Sequence, residues 1–251
     1  MKTLTKKAMS IEAQTSKSTS LSMLNSYKLS SFVVKLIVMS PVLITLFFGL
    51  AWFIPETYKL ASWASKENGL AETLTFLFLL FGSMFGGSLA WKMKHNKEHN
   101  LLVLFIITFS LALFIVAMEE ISWGQQFFKF QTPESLKTIN EQNEVNLHNI
   151  KGLQGQSEFI HLFFGLAGLI SIYFNLYILD RVKVPKVLLI CFITITVISI
   201  ADLLVDYTFE KHELTYFMRR LSEVNEMFIG LAGFSYIILL TQKFMAEWNE
   251  N

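Results

Sequence analysis

Long apolar runs separated by short polar stretches set the pattern of this chain. After residue 30, six segments reach bilayer length, which takes about 20 residues at ~1.5 Å each. They are 32–54, 71–91, 101–121, 159–180, 187–207 and 224–242. The first closes at Ile54-Pro55, where proline stops a helix. Asp202, Asp206 and Glu226 interrupt the last two. The pattern predicts an all-α, six-pass transmembrane helix bundle over 31–243. Residues 1–30 are rich in Ser, Thr and Lys, with no apolar run and no small-residue cleavage site, so they read as a mobile cytoplasmic tail and not a secretory signal. Residues 244–251 read as a short C-terminal tail on the same side.

Composition agrees. The 251 residues are 53% apolar with a mean hydropathy of +0.45, and include 24 Phe and only 4 Pro. Those values fit a membrane protein better than a soluble domain. The single cysteine, Cys191, excludes an internal disulfide framework and reads as a small core residue.

The net charge of +1 hides an asymmetry that sets the orientation. With the N-terminus inside, the cytoplasmic segments hold 13 of the 21 basic residues and 5 of the 20 acidic ones. The external segments hold the other 8 basic and 15 acidic residues, so the two sides carry +8 and −7. Basic residues gather on the cytoplasmic side of membrane proteins, so both termini are expected inside, with short basic turns at 92–100 and 181–186. These basic residues flank helix ends and show no aromatic interleaving, which argues against nucleic-acid binding.

The external connections are less uniform. Residues 55–70 form a short link, whereas 122–158 form a long one with structure of its own. Thr132 before Pro133-Glu134 reads as a helix start, with a capping hydroxyl, proline at the first position and an acid at the positive end of the dipole. Trp123, Phe127, Phe128 and Phe130 suit the interfacial zone. A gap-free echo relates 158–168 to 223–233, sharing Gly-Leu-Ala-Gly at an offset of 65. With Gly82-x-x-x-Gly86 and Ser83-x-x-x-Gly87, these small-residue patterns read as close helix-packing faces.

The chemistry concentrates at the outer end. Glu119 and Glu120 close an 18-residue apolar run, Leu101 to Met118, and ionisable groups at the edge of hydrocarbon are functional by default. Counted from the cytoplasmic boundaries, Asp202 lies ~22 Å deep, Glu226 and Glu119 ~26–27 Å, and Glu72 and His161 ~30 Å on the helical rise. Separate helices therefore bring acids and imidazole to one layer. His148, His161, Asp202 and Glu226 are the candidate ligands of a divalent metal such as Zn²⁺, with Glu119 or Glu120 as general base toward a bound water. Arg219-Arg220, the only paired arginines, would grip a phosphate or carboxylate on the substrate, with Trp123 and Gln126 beside it. The amide-rich stretch 140–149 would fold back so that His148 covers Glu119 and Glu120.

Glu-Glu-Ile-Ser-Trp-Gly-Gln, followed by Thr-Pro-Glu and Asn-Leu-His-Asn, resembles segments of bacterial multi-pass membrane proteins. The likeness implies a bacterial plasma-membrane location and no particular chemistry; that the site faces outside is the expectation from the charge asymmetry. In outline the layout is also similar to alkaline ceramidase-like membrane hydrolases, which use His and Asp at one membrane face. Their His-x-x-x-His pair on a late helix is missing here, so no residue role carries over. The expected function is metal-dependent hydrolysis of a lipid amide or ester, with the bilayer and a lipid substrate as partners. The alternatives are a non-catalytic sensor or assembly component that binds a cation or a protein, and a proton-coupled transporter. Oligomeric state is not legible in the sequence.

Overall fold

The computed structural model describes residues 30–66, 68–140, 143–147, 150, 157–174, 179–208 and 213–250. The described part is helical: α1 Ser31–Phe53, α2 Pro55–Ala64, α3 Leu70–His95, α4 Asn100–Glu120, the single turns α5 Gln125–Phe128 and α6 Glu134–Lys137, α7 Ser157–Tyr173, α8 Leu189–Thr208 and α9 Glu213–Glu250. No strand occurs among the described residues, only an isolated bridge between Asn140 and Ile150.

Five helical stretches are long and apolar enough to cross a membrane: Phe32–Phe53, Leu70–His95, Asn100–Glu120, Lys186–Thr208 and Glu213–Glu250. The sixth expected stretch, 159–180, forms α7, whose 17 residues rise ~25 Å, short of the ~30 Å hydrocarbon thickness. The link at 55–70 holds a helix the apolar pattern did not mark. Ile54 is extended ahead of Pro55, the conformation a residue before proline favours, and the chain then restarts as α2 with proline in its first turn. The Thr57 hydroxyl ties that restart to the Ala51 carbonyl at 2.9 Å.

α9 is the hub. It packs on α3 and α8, and more lightly on α7 and α1, while α3 pairs with α4 and α7 with α8. Phe228, Ile237, Leu240 and Phe244 of α9 are fully buried. α1 stands outermost, presenting Phe32, Leu36, Leu43, Phe47, Leu50 and Phe53 outward, as a lipid-facing helix would.

Small residues set the helix spacing. Gly82 lies against the Phe234 backbone and Leu113, where a β-carbon would be tight, and Gly86 against Ser110, whose hydroxyl a β-carbon would strike. The two halves of the sequence echo play the same part: Gly165 and Gly168 meet Thr196 and Phe192 of α8, and Gly230 and Gly233 meet α3 and Leu113 of α4. The overlapping Ser83-x-x-x-Gly87 pattern is not a packing face. Gly87 is exposed with nothing within 4 Å of its missing β-carbon, because it sits one residue round the helix from Gly86.

At the end holding the α3–α4 turn, Arg181 bonds Glu98 of that turn and Glu247 near the end of α9, and covers the Phe244 ring at 4.8 Å. The Trp248 indole donates to Glu98 at 3.0 Å, and Lys243 donates to the Arg181 carbonyl at 2.9 Å. α9 therefore continues through 244–250, where the sequence pattern marks a tail. Glu226 and Glu247 lie 21 positions apart on α9, a rise of ~31 Å, so two polar layers bracket one hydrocarbon thickness of apolar bundle.

Candidate functional site at the acid-rich end of the bundle

Glu119 and Glu120 are the last residues of α4, at the negative end of its dipole, where carboxylates are disfavoured. The chain answers with a turn that aims donors back at them. Ser122 (φ 47°), Trp123 (φ 54°) and Gly124 (φ 89°) take left-handed conformations in succession, which costs a non-glycine residue ~1–2 kcal/mol. The reversal brings the Trp123 indole N–H to Glu119 Oε1 at 2.6 Å. The Leu147 backbone N–H reaches Glu119 Oε2 at 2.5 Å, so the 122–147 loop does fold over this helix end. His148, expected to complete that cover, lies outside the described residues.

Gln126 is the clamp between helices. Its side-chain N–H₂ donates to Glu72 Oε1 at 2.8 Å and to the Glu120 carbonyl at 3.0 Å. Glu72 also accepts from the Asn68 N–H at 2.5 Å, capping the start of α3. The strongest charged neighbours of the Glu120 carboxyl are all carboxylates: Glu226, Glu72, Glu223 and Glu119. Among the described residues no hydrogen-bond donor is placed on that carboxyl.

The loop above is a network of amides. Asn146 donates to Glu144 (2.9 Å) and Ser122 (3.1 Å), and Ser122 donates to Glu144 (2.7 Å). Asn140 donates to Asn146, and Gln125 joins Thr132 to the Val145 N–H. Thr132 is not the cap of α6, as its sequence context suggests. Pro133 takes that position without a side-chain hydrogen bond, while the buried Thr132 hydroxyl bonds the Asn143 carbonyl, a partner eleven residues away.

A second polar group sits between α7, α8 and α9. His161 Nε2 lies 3.3 Å from Glu226 Oε1, and its Nδ1 is buried without a partner. Asp202 feels the charges of Glu158, Asp206 and His161, with the Ser222 hydroxyl in hydrogen-bonding range. Three of the four expected metal ligands, His161, Asp202 and Glu226, thus lie in one neighbourhood. The His161–Glu226 spacing matches two ligands of one tetrahedral ion, whose edge is ~3.4 Å for ~2.1 Å bonds. Among the described residues, however, no three His, Cys, Asp or Glu side chains converge as a ligand set.

The arginines part company. Arg219 is exposed, whereas Arg220 donates to the Ser65 carbonyl at 3.1 Å and stacks on Tyr216, tying α9 to the end of α2. Trp123 and Gln126 hold Glu119 and Glu72, respectively. Ser199, Ser222 and Asn225 are three further buried polar residues on apolar helices, outside the expected site set. Their i, i+3 spacings, Ser199/Asp202 and Ser222/Asn225, were the available signal.

The chain is thus an all-helical protein with several helices able to cross a membrane and an acid-rich polar group at one end of the bundle. Compared with known proteins, it matches no family model, no curated protein and no solved structure.

Proposed function

We propose that this integral membrane protein hydrolyses a lipid amide or ester at the acid-rich end, with Glu120 as general base. One observation carries the reading: the Glu120 carboxyl lies among Glu72, Glu223 and Glu226 without a described donor, while its neighbours Glu119 and Glu72 are tied down by Trp123, Leu147, Gln126 and Asn68. A carboxylate held free of structural bonds within a pinned frame is placed to take a proton. Glu120 would accept the proton of the attacking water and return it to the leaving amine or alcohol. Exposed Trp123, Phe127 and Phe128 would seat the acyl chains at the interface, and exposed Arg219 would meet a headgroup phosphate or carboxylate.

A divalent cation belongs to the same proposal. His161 and Glu226 would hold it with His148, and it would polarise the substrate carbonyl and the water. We place α7 as a sixth crossing, both termini in the cytoplasm and the acid-rich end outside a bacterial plasma membrane. The charge asymmetry of the sequence supports that orientation, as does the gathering of Arg181, Lys183 and Lys243 about one end of the bundle.

The test is release of fatty acid from defined lipid amides and esters by the purified protein in nanodiscs, alongside its metal content. Hydrolysis lost in Glu120→Gln but kept in Arg220→Lys supports the reading. A metal-free protein, or activity untouched by Glu120→Gln, ends it. The crowding of like charges around Glu120 favours one other reading, a non-catalytic component that binds a cation. That reading predicts no hydrolysis, and a cation-dependent thermal shift that Glu120→Gln removes.

A further inference from the structure

Four polar side chains form a closed frame in the seam between α8 and α9. Ser199 and Asp202 lie one turn apart on α8, and Ser222 and Asn225 one turn apart on α9. The helices run antiparallel across this frame: Asn225 Nδ2 donates to Ser199 Oγ at 3.0 Å, and the Ser222 hydroxyl is in range of the Asp202 carboxyl. The frame measures ~4.5 Å along each helix on the helical rise, with a polar contact closing each end. Asp202, Asn225 and Ser199 are 1% exposed and Ser222 8%.

Two acceptors are left over, Asp202 Oδ1 and Asn225 Oδ1, both buried without a partner. A buried acceptor without a donor is costly, and a buried carboxylate more so. The groups that face Asp202 do not resolve this: Glu158 of α7 and Asp206 of α8 are themselves acids, and His161 of α7 meets Glu226 through Nε2 while its Nδ1 makes no bond to Asp202. Two buried acceptors in one frame, one of them a carboxylate, call for positive charge. All four side chains present oxygen, which selects a hard cation, and the frame carries a single formal negative charge, which suits a single positive one.

We propose that Asp202, Asn225, Ser199 and Ser222 form a binding site for a monovalent alkali cation of sodium size, inside the α8–α9 seam and apart from the carboxylates around Glu120. The bound ion neutralises Asp202 and satisfies both open oxygens, locking α8 against α9. The site does not depend on the hydrolase reading.

The experiment uses the full chain in nanodiscs, with sodium chloride replaced stepwise by choline chloride at constant ionic strength. The expected result is a saturable rise of the unfolding midpoint in sodium alone, with radioactive sodium bound at about one ion per chain. Asp202→Asn should abolish both, and Ser222→Ala should weaken binding roughly tenfold, the loss of about one good ligand interaction. Glu120→Gln should keep the sodium response, which separates this site from the proposed base. Equal midpoints in sodium and choline, with no sodium bound, overturn the proposal and leave water or a proton to fill the frame. A sodium response surviving in Asp202→Asn overturns it as well, as does one lost in Glu120→Gln. Should Asp202→Asn fail to fold, the Ser222→Ala affinity decides: unchanged binding counts against the site.

Discussion

Gln126 in the loop donates its side-chain amide to Glu72 of α3 at 2.8 Å, across 54 positions of sequence, and the same nitrogen reaches the Glu120 carbonyl. This one side chain fastens the loop to the start of α3 and the end of α4. Gln126→Ala should lower stability by about 1–3 kcal/mol, the cost of leaving partly buried acceptors unmet. Thermal unfolding in detergent measures this. Gln126→Glu should cost more, because it replaces the donor with another carboxylate beside Glu72 and Glu120. A Glu variant as stable as wild type would remove Gln126 from this role.

Glu120→Gln should move stability and function in opposite directions. The substitution removes one carboxyl from a group of five, so the unfolding midpoint should rise at any pH where Glu120 is ionised. Hydrolysis should vanish in the same sample. An unfolding midpoint that falls would mean that Glu120 is held by a favourable interaction and is not a strained base.

Adjacent glycines on α3 should respond differently. Gly86→Ala pushes a methyl group into Ser110 of α4 and should cost about 1–3 kcal/mol as overpacking. Gly87→Ala meets nothing within 4 Å and should be neutral or slightly stabilising, since alanine is the better helix former. Paired unfolding curves check this. Equal effects would contradict a helix rotation that turns Gly86 toward α4 and Gly87 outward.

The Arg181 knot should be the salt-sensitive part of the fold. Its side chain is 42% exposed, so Arg181→Ala should cost only about 1 kcal/mol, and less at high salt. Partial burial works against the guanidinium charge, but the hydrogen bonds of Glu247 and Glu98 outweigh it and raise the pKa. A raised basic group contributes stability that is complete below its unfolded pKa and lost only as pH climbs through the folded value. The arginine side of this knot should therefore show no pH dependence near neutrality. Arg181→Lys should recover little, because one ammonium cannot span Glu98 and Glu247 as a planar fork does. Unfolding in low and high salt distinguishes these outcomes.

Much of this protein follows from one-dimensional pattern. Hydrocarbon admits only helices and closed barrels, which satisfy their own backbone, so a run of about 20 apolar residues marks a candidate crossing before any contact is known. Five of the six runs form helices of that length, and 159–180 forms a shorter one. Glu119-Glu120 after 18 apolar residues is legible in the same way, because charge at that depth is costly enough to need a reason. Gly-x-x-x-Gly announces close packing, but two overlapping frames on α3 are equivalent in sequence, and only the rotation of the helix against α4 picks Gly82/Gly86 over Ser83/Gly87.

The remainder needed three dimensions. Thr132 carries every local sign of a helix cap yet bonds Asn143, since a long loop can offer a partner that local pattern does not weigh. Gln126 meeting Glu72, and Asn225 meeting Ser199, join residues that share no periodicity. The sequence alone determined which segments are apolar and long enough to be candidates for crossing a membrane, five of them kept as long helices, and which polar residues interrupt them. Side-chain direction across helix seams depends on rotation and depth, which neither hydropathy nor spacing encodes, so only the tertiary structure decided which acids face Glu120, which face Asp202, and which arginine is occupied.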